Sequence, residues 1–454
     1  KSALAHGAER GLVMLLPTHY YMIGALLAVA LSFLVLSSQS ISKWLDEIYG
    51  RQRLLHTYSR KPNGTLSFLS NALIFLGIFA GLYGSPDPLS NPLSLGVWTG
   101  WWIGFSLVQV LFGDLWVVIN PWRWWGLFLD KISQGKFGRI GIVQLPSSIG
   151  YLPAITLFFC FAWFELISIA PEDPTRLAIA TFLYWFVNFL AVTIFGLDDW
   201  LEREAFSVFF RLIGGFSPIA RTRTQDGVQL SVQMPGATFV NAAPFPLSGV
   251  ALVLLILGTA SFDGLSETFT WHGIWGSNPL EYAGRSSTQF ENTIGLVLTP
   301  IALGAAYFIA LWFGLRLTVR QNLTALAGKV IYSIVPISIA FHLSHYLTAL
   351  LINGQFLVKA ISDPLALGWD LFGTADLHVT ASFIQNIDSV WIIWTAQVAI
   401  ITIGHMTGII LAHIIAMRYF GSHLMAARSQ IFLAALMVFY TVLGLWLLST
   451  PTIG

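Results

Sequence analysis

Four histidines occupy two neighbouring apolar segments, roughly 329–352 and 389–417. The first segment reads Phe341-His342-Leu343-Ser344-His345. The second reads Gly404-His405-Met406-Thr407-Gly408, followed by Ala412-His413. Hydrocarbon has no water to solvate an imidazole, so a histidine within it marks either a site or a hydrogen bond between helices. On a helix, His342 and His345 share a face about 4.5 Å apart in height, whereas His405 and His413 are about 12 Å apart along theirs. In antiparallel helices His342 falls near mid-bilayer, His345 slightly outward and His405 slightly inward. His342, His345 and His405 are therefore expected to meet, and His413 lies too near the inner surface to join them. Neutral imidazole is the commonest protein ligand for zinc, copper and iron. The trio is a candidate site for a transition-metal ion (zinc or copper) or a haem; helix-to-helix hydrogen bonding is the competing reading.

Two acids join this constellation. Glu165 lies in the outer third of an apolar run at 150–170, and Asp114 in the inner third of one at 96–118. An ionised carboxylate is costly there, so each is a neutral structural group, a metal ligand, a catalytic base or a proton-relay station. His19, His272 and His378, the last near Asp376, fall at the outer border or in outer loops, where solvent exposure explains them. Ala3-Leu4-Ala5 resembles a signal-peptidase site; cleavage after it would leave His6 as a terminal residue able to chelate copper. The sequence contains no GxSxG elbow, HExxH, Walker loop, dinucleotide glycine fingerprint or CxxCH. Nucleotide-driven pumping and covalently attached haem are thereby disfavoured, and no nucleotide partner is expected.

The elements that must position these residues are membrane helices. The chain has 454 residues, 56% hydrophobic and 10% charged, which no ordinary soluble domain matches. Runs long enough to cross about 30 Å of hydrocarbon lie near 18–37, 66–84, 96–118, 150–170, 177–196, 247–262, 293–315, 329–352, 389–417 and 430–450. The expectation is an all-α integral membrane protein with about ten transmembrane helices, forming one polytopic domain over 1–454 in contact with the lipid bilayer. Of the 23 Lys and Arg residues, all but Lys1, Arg10, Arg176, Arg285 and Lys359 fall on one side of that alternation. The positive-inside rule makes that side cytoplasmic and puts both termini outside. A net charge of +1, with its basic residues spread over loops, argues against a nucleic-acid partner. The single cysteine, Cys160, excludes an internal disulfide.

Several local features complete the expectation. Trp98, Trp101 and Trp102, with Trp116, Trp122, Trp124 and Trp125, suggest interfacial belts. Gly96, Gly100 and Gly104, and likewise Gly404, Gly408 and Ala412, form small-residue stripes suited to close helix contact. The 197–246 loop should hold an amphipathic helix at the cytoplasmic surface and a small hairpin around 228–232. Two long outer loops, 263–292 and 353–388, carry Asp263, Glu267, Glu281, Asp363, Asp370 and Asp376.

Several stretches resemble a family of bacterial polytopic membrane proteins labelled fenitrothion hydrolase. They are Ala5-His6-Gly7, Phe112-Gly113-Asp114-Leu115-Trp116 with Asn120-Pro121, Phe206–Arg211 with Phe216-Ser217-Pro218, Val335-Pro336-Ile337 leading to His345-Tyr346, Gly368–Ala375, and Gly404-His405 through Ala412-His413. The resemblance implies an inner-membrane protein that hydrolyses a hydrophobic phosphotriester at its aryl ester bond, and it names no catalytic residue. A metal-assisted hydrolase would use His342, His345 and His405 for the ion, with Glu165 or Asp114 as ligand or base. The alternatives are a redox-associated subunit binding haem or copper, and a non-catalytic accessory subunit of a membrane complex.

Overall fold

A computed structural model describes residues 13, 16–58, 64–136, 138–224, 227–278, 284–319 and 322–450. The Ala3–Ala5 motif, His6, Lys1, Arg10, Arg60, Lys61, Asp226, Glu281 and Arg320 lie outside them. The protein is α-helical, and nine helices among the described residues are long and apolar enough to cross a membrane. This is a multi-pass membrane architecture.

The first spanning helix, α1 (Thr18–Leu36), leads into α2 (Gln39–Gly50), strand β1 (Gln52–Tyr58) and α3 (Thr65–Tyr83). Helix α4 (Pro92–Phe112) opens on Pro92, with Asn91 Oδ1 accepting the Leu93 amide at 2.9 Å. Its middle, Gly96–Phe105, is wound as a π-helix. Then come α5 (Pro121–Ile132), α6 (Leu152–Leu166), α7 (Pro174–Phe195) and α8 (Ala205–Phe216). Helix α9 (Leu247–Ser266) follows strands β2 (Ile219–Thr224) and β3 (Gly227–Gln233), and α10 (Phe269–Trp275) follows it. The remaining helices are α11 (Gln289–Arg316), α12 (Leu323–Ser362), α13 (Ile387–Phe420), α14 (His423–Ser429) and α15 (Ile431–Ser449).

Nine of the ten expected spans are full-length helices; the fourth, α6, has 15 residues. At 1.5 Å per residue it is about 22 Å long, short of the hydrocarbon thickness. The expected hairpin is present and gains a third strand: β3 pairs antiparallel with both β2 and β1.

Two expectations are corrected by packing. Helix α8 does not lie on a surface. Phe206, Val208, Phe209, Phe210, Leu212 and Ile213 are all buried in the main core, beside Trp101, Trp102, Phe158 and Phe161. The helix is amphipathic as expected, but its wide apolar face meets aromatic side chains of the core, while Arg211 on its other face donates to the Glu202 carbonyl. The tryptophans, likewise, are not all belts. Trp102, Trp116 and Trp122 are buried: the first two pack on Phe209 and Phe210 of α8, and Trp122 packs on Tyr184 of α7.

The second glycine stripe does what small residues allow. A Cβ on Gly404 would run into Ala340 and stand 3.0 Å from the Pro336 carbonyl; one on Gly408 would stand 2.8 Å from the Ser333 carbonyl. Helices α12 and α13 therefore meet nearly backbone to backbone. In the first stripe only Gly100 faces another helix, at Leu357 of α12; Gly96 faces open space.

Candidate acid–base site

The site forms where three helices converge: the last turn of α6 brings Glu165, the end of α9 Asp263, and the middle of α12 His342, His345 and Tyr346. Arg285, just before α11, holds the α6 terminus. Its Nη1 donates to the Glu165 carbonyl at 2.6 Å and to that of Ser168 at 3.4 Å. A cation there suits both the orphan carbonyls and the helix dipole. Glu165 and Asp263 are buried.

The Tyr346 hydroxyl lies 2.8 Å from Asp263 Oδ2 and 3.0 Å from Glu165 Oε1. The same Asp263 oxygen is 2.9 Å from His345 Nε2. A phenol has one proton and can donate to only one carboxylate; a second ionised oxygen would face its lone pairs. The contacts are all satisfied when Glu165 is protonated and donates to Tyr346. Tyr346 then donates to Asp263, and the His345 Nε2–H donates to the same carboxylate. Glu165, Tyr346, Asp263 and His345 thus form one hydrogen-bonded chain in apolar surroundings.

His342 flanks this chain. Its Nε2 is 3.0 Å from the carbonyl of Trp102. A carbonyl only accepts, so Nε2 carries the proton and Nδ1 keeps its lone pair. Trp102 lies in the π-wound part of α4, a feature frequent at functional sites, and its carbonyl also accepts from Ser106 Oγ at 2.6 Å. A cavity of about 40 Å³ lies against Glu165, Asp263, His342 and Tyr346, walled mainly by Phe158, Phe209, Ile256 and Ile339. That is room for very few water molecules.

Of the residues singled out from sequence, Glu165, His342 and His345 come together here, and His405 and Asp114 do not. His405 is fully buried on α13. Its Nδ1 donates to the carbonyl of Ile401 one turn back, at 2.9 Å, and its ring packs against Phe341 and Tyr440. Asp114 sits in the turn after α4, where Oδ1 accepts the Val117 amide at 3.2 Å and the backbone carbonyl accepts from Arg221. Such a turn needs a short acceptor side chain. His413 is buried beside the C-terminal tip of α1, away from this site. His272 has both ring nitrogens engaged, by Ser277 and by the Ser266 carbonyl. His19, His378 and Asp376 are exposed.

The donor chemistry of histidine suits zinc, copper or haem iron, but the expected trio does not fit a shared centre. Among the described residues no three His, Cys, Asp or Glu side chains are grouped to hold a metal. The Nε2 atoms of His342 and His345 already donate to Trp102 and Asp263.

Asp263, Tyr346 and Arg285 were not foreseen as site residues. Asp263 stands one residue past the expected end of its span, and the helix continues through it to Ser266. Tyr346 adjoins His345 and lies one turn beyond His342, the face on which a partner for them could be sought. No protein-family model, curated protein or solved structure matches this chain.

Proposed function

We propose that this is an inner-membrane protein whose working part is the proton-bearing chain Glu165–Tyr346–Asp263–His345, and that it relays protons within the membrane, alone or as a subunit of a larger complex. One observation carries this reading: a single tyrosine hydroxyl bridges two buried carboxyl groups, so the pair holds a proton between them. Buried ionisable residues that pair with one another inside spans are the usual material of proton relays. The adjoining cavity has room for water and little else. With the basic loops in the cytoplasm, the chain lies in the outer half of the bilayer, and Arg285 covers it from the outer side. The test is infrared spectroscopy of the purified protein across a pH titration. A protonated-carboxyl band that disappears in Glu165→Gln is expected; its absence from the wild type would overturn the reading. In sealed vesicles, Tyr346→Phe should slow any proton movement the wild type supports.

A second reading follows from the resemblance to fenitrothion hydrolase-labelled proteins. The apolar wall of Phe158, Phe209, Ile256 and Ile339 faces Glu165 and His342, so an apolar ester arriving from the bilayer would meet a water, His342 Nδ1 as general base and protonated Glu165 as general acid. Ligand pockets usually enclose about 300–1,000 Å³, so a triester requires the wall to open. Release of nitrophenol from an aryl phosphotriester by the purified protein, lost in Glu165→Gln, is the expected result. No release sinks this reading and leaves the proton relay standing.

A further inference from the structure

At the end of the bundle opposite the Glu165 chain, the tip of α1 is held by His423 directly and by His413 through Ser42. The Leu36 carbonyl, an orphan acceptor at the helix C-terminus, takes the Ser42 hydroxyl at 2.7 Å and His423 Nε2 at 3.1 Å. Ser42 Oγ is also 3.0 Å from His413 Nε2. These contacts assign the protons. Ser42 has one hydrogen and gives it to Leu36, so it can only accept from His413, whose Nε2 must therefore carry a hydrogen. His423 faces a carbonyl, so its Nε2 carries one too. Both imidazoles are left with their lone pairs on Nδ1. The His413 ring is fully buried, and its Nδ1 has no partner among the described residues. The ring centroids are 5.5 Å apart.

We propose that His413 and His423 form a two-histidine site for a divalent transition-metal ion, separate from the proton-bearing chain. Metal-binding histidines characteristically donate their other N–H to a carbonyl or a hydrogen-bonded neighbour, which fixes the tautomer and aims the lone pair; Leu36 and Ser42 do this here. Two imidazoles sharing one ion at about 2.0–2.1 Å place their centroids roughly 5–6 Å apart, the separation observed. Borderline ions such as zinc suit neutral imidazole nitrogens. Two protein ligands leave coordination positions for water, so the ion is exchangeable, and the half-buried His423 gives it a way in.

The experiment uses the full chain in detergent, stripped with a chelator and titrated with Zn²⁺ by calorimetry. One equivalent should bind. His423→Gln should weaken it by more than tenfold, and His378→Gln, at an exposed loop histidine, should leave it unchanged. Ser42→Ala, which frees the His413 tautomer, should weaken it about 10–100-fold and serves as the second variant where His413→Gln fails to fold. Equal affinity in wild type and His423→Gln overturns the proposal, as does the absence of a stoichiometric site. So does ¹⁵N NMR of the histidine rings showing either Nδ1 protonated at saturating Zn²⁺.

Discussion

Tyr346 sets the proton count of the buried acids, and its removal separates bridging from mere packing. In Tyr346→Phe the ring stays while Glu165 and Asp263 lose their common partner. Leaving a buried polar group unsatisfied costs about 1–3 kcal/mol, so thermal unfolding in detergent should shift down by that equivalent. Glu165→Gln should cost less, because its amide can still donate to the Tyr346 oxygen, yet it removes the titrating carboxyl. Equal stability of Tyr346→Phe and wild type would mean that the phenol does not bridge. At this scale the sequence was half legible. An imidazole or carboxylate within an apolar run announces itself, which found His342, His345 and Glu165. Asp263 sat in what read as a loop, and no spacing rule reveals that His405 bonds to its own helix.

Helix contacts were most legible where side chains are smallest. Gly404 and Gly408 mark the face where α13 meets α12, and in both a methyl would press on backbone or Cβ. Gly408→Val should therefore destabilise the protein by about 1–3 kcal/mol through overpacking. Gly354→Ala, in the same α12 but facing open space, should be neutral or mildly stabilising. If both variants melt alike, the stripe is not a contact. The loop after α12 offers a pH-dependent counterpart. Asp370 accepts the Ala375 amide at 3.0 Å, and with it the Ser362 hydroxyl, which hold its carboxyl below the usual range despite a small burial cost. A lowered value means that these bonds are intact above the ordinary carboxylate pKa of about 3.9 and are lost as pH falls through the folded value. Amide exchange at Ala375, corrected for intrinsic rate, should lose protection on acidification below about pH 4 and show no such step in Asp370→Asn. Bulky aromatics were the poorest guide. Tryptophan suits an interface and a core equally, and only the arrival of α8 decides between them.

For the whole molecule, the question is whether the short α6 crosses. With nine crossings the termini would lie on opposite faces; with ten they share one, the arrangement that the distribution of basic loops predicts. The ends of α6 give the physical argument. Ahead of it, the Val143 amide donates to the Ile194 carbonyl at the C-terminal end of α7, and the Leu145 amide to Oδ2 of Asp199 in the short turn of helix just after it. Beyond it, Ser94 Oγ donates to the Glu172 carbonyl and Trp98 Nε1 to that of Pro171, where α7 begins and α4 enters. The segment from 143 to 173 therefore runs the length of α7, whose 22 residues span about 33 Å. Helix α6 with its flanking turns thus matches the length of α7, which its 15 residues alone do not. Cysteine labelling tests this directly, since Cys160 is the only thiol to remove first. In a Cys160→Ser background, Glu172→Cys, Asp87→Cys and Asp376→Cys should react with an impermeant maleimide added outside. Arg139→Cys and Asp198→Cys should react only after permeabilisation. All five positions are exposed side chains. Labelling of positions 139 and 172 from the same side would show that α6 turns back, and would place the Glu165 chain differently with respect to the two faces of the membrane.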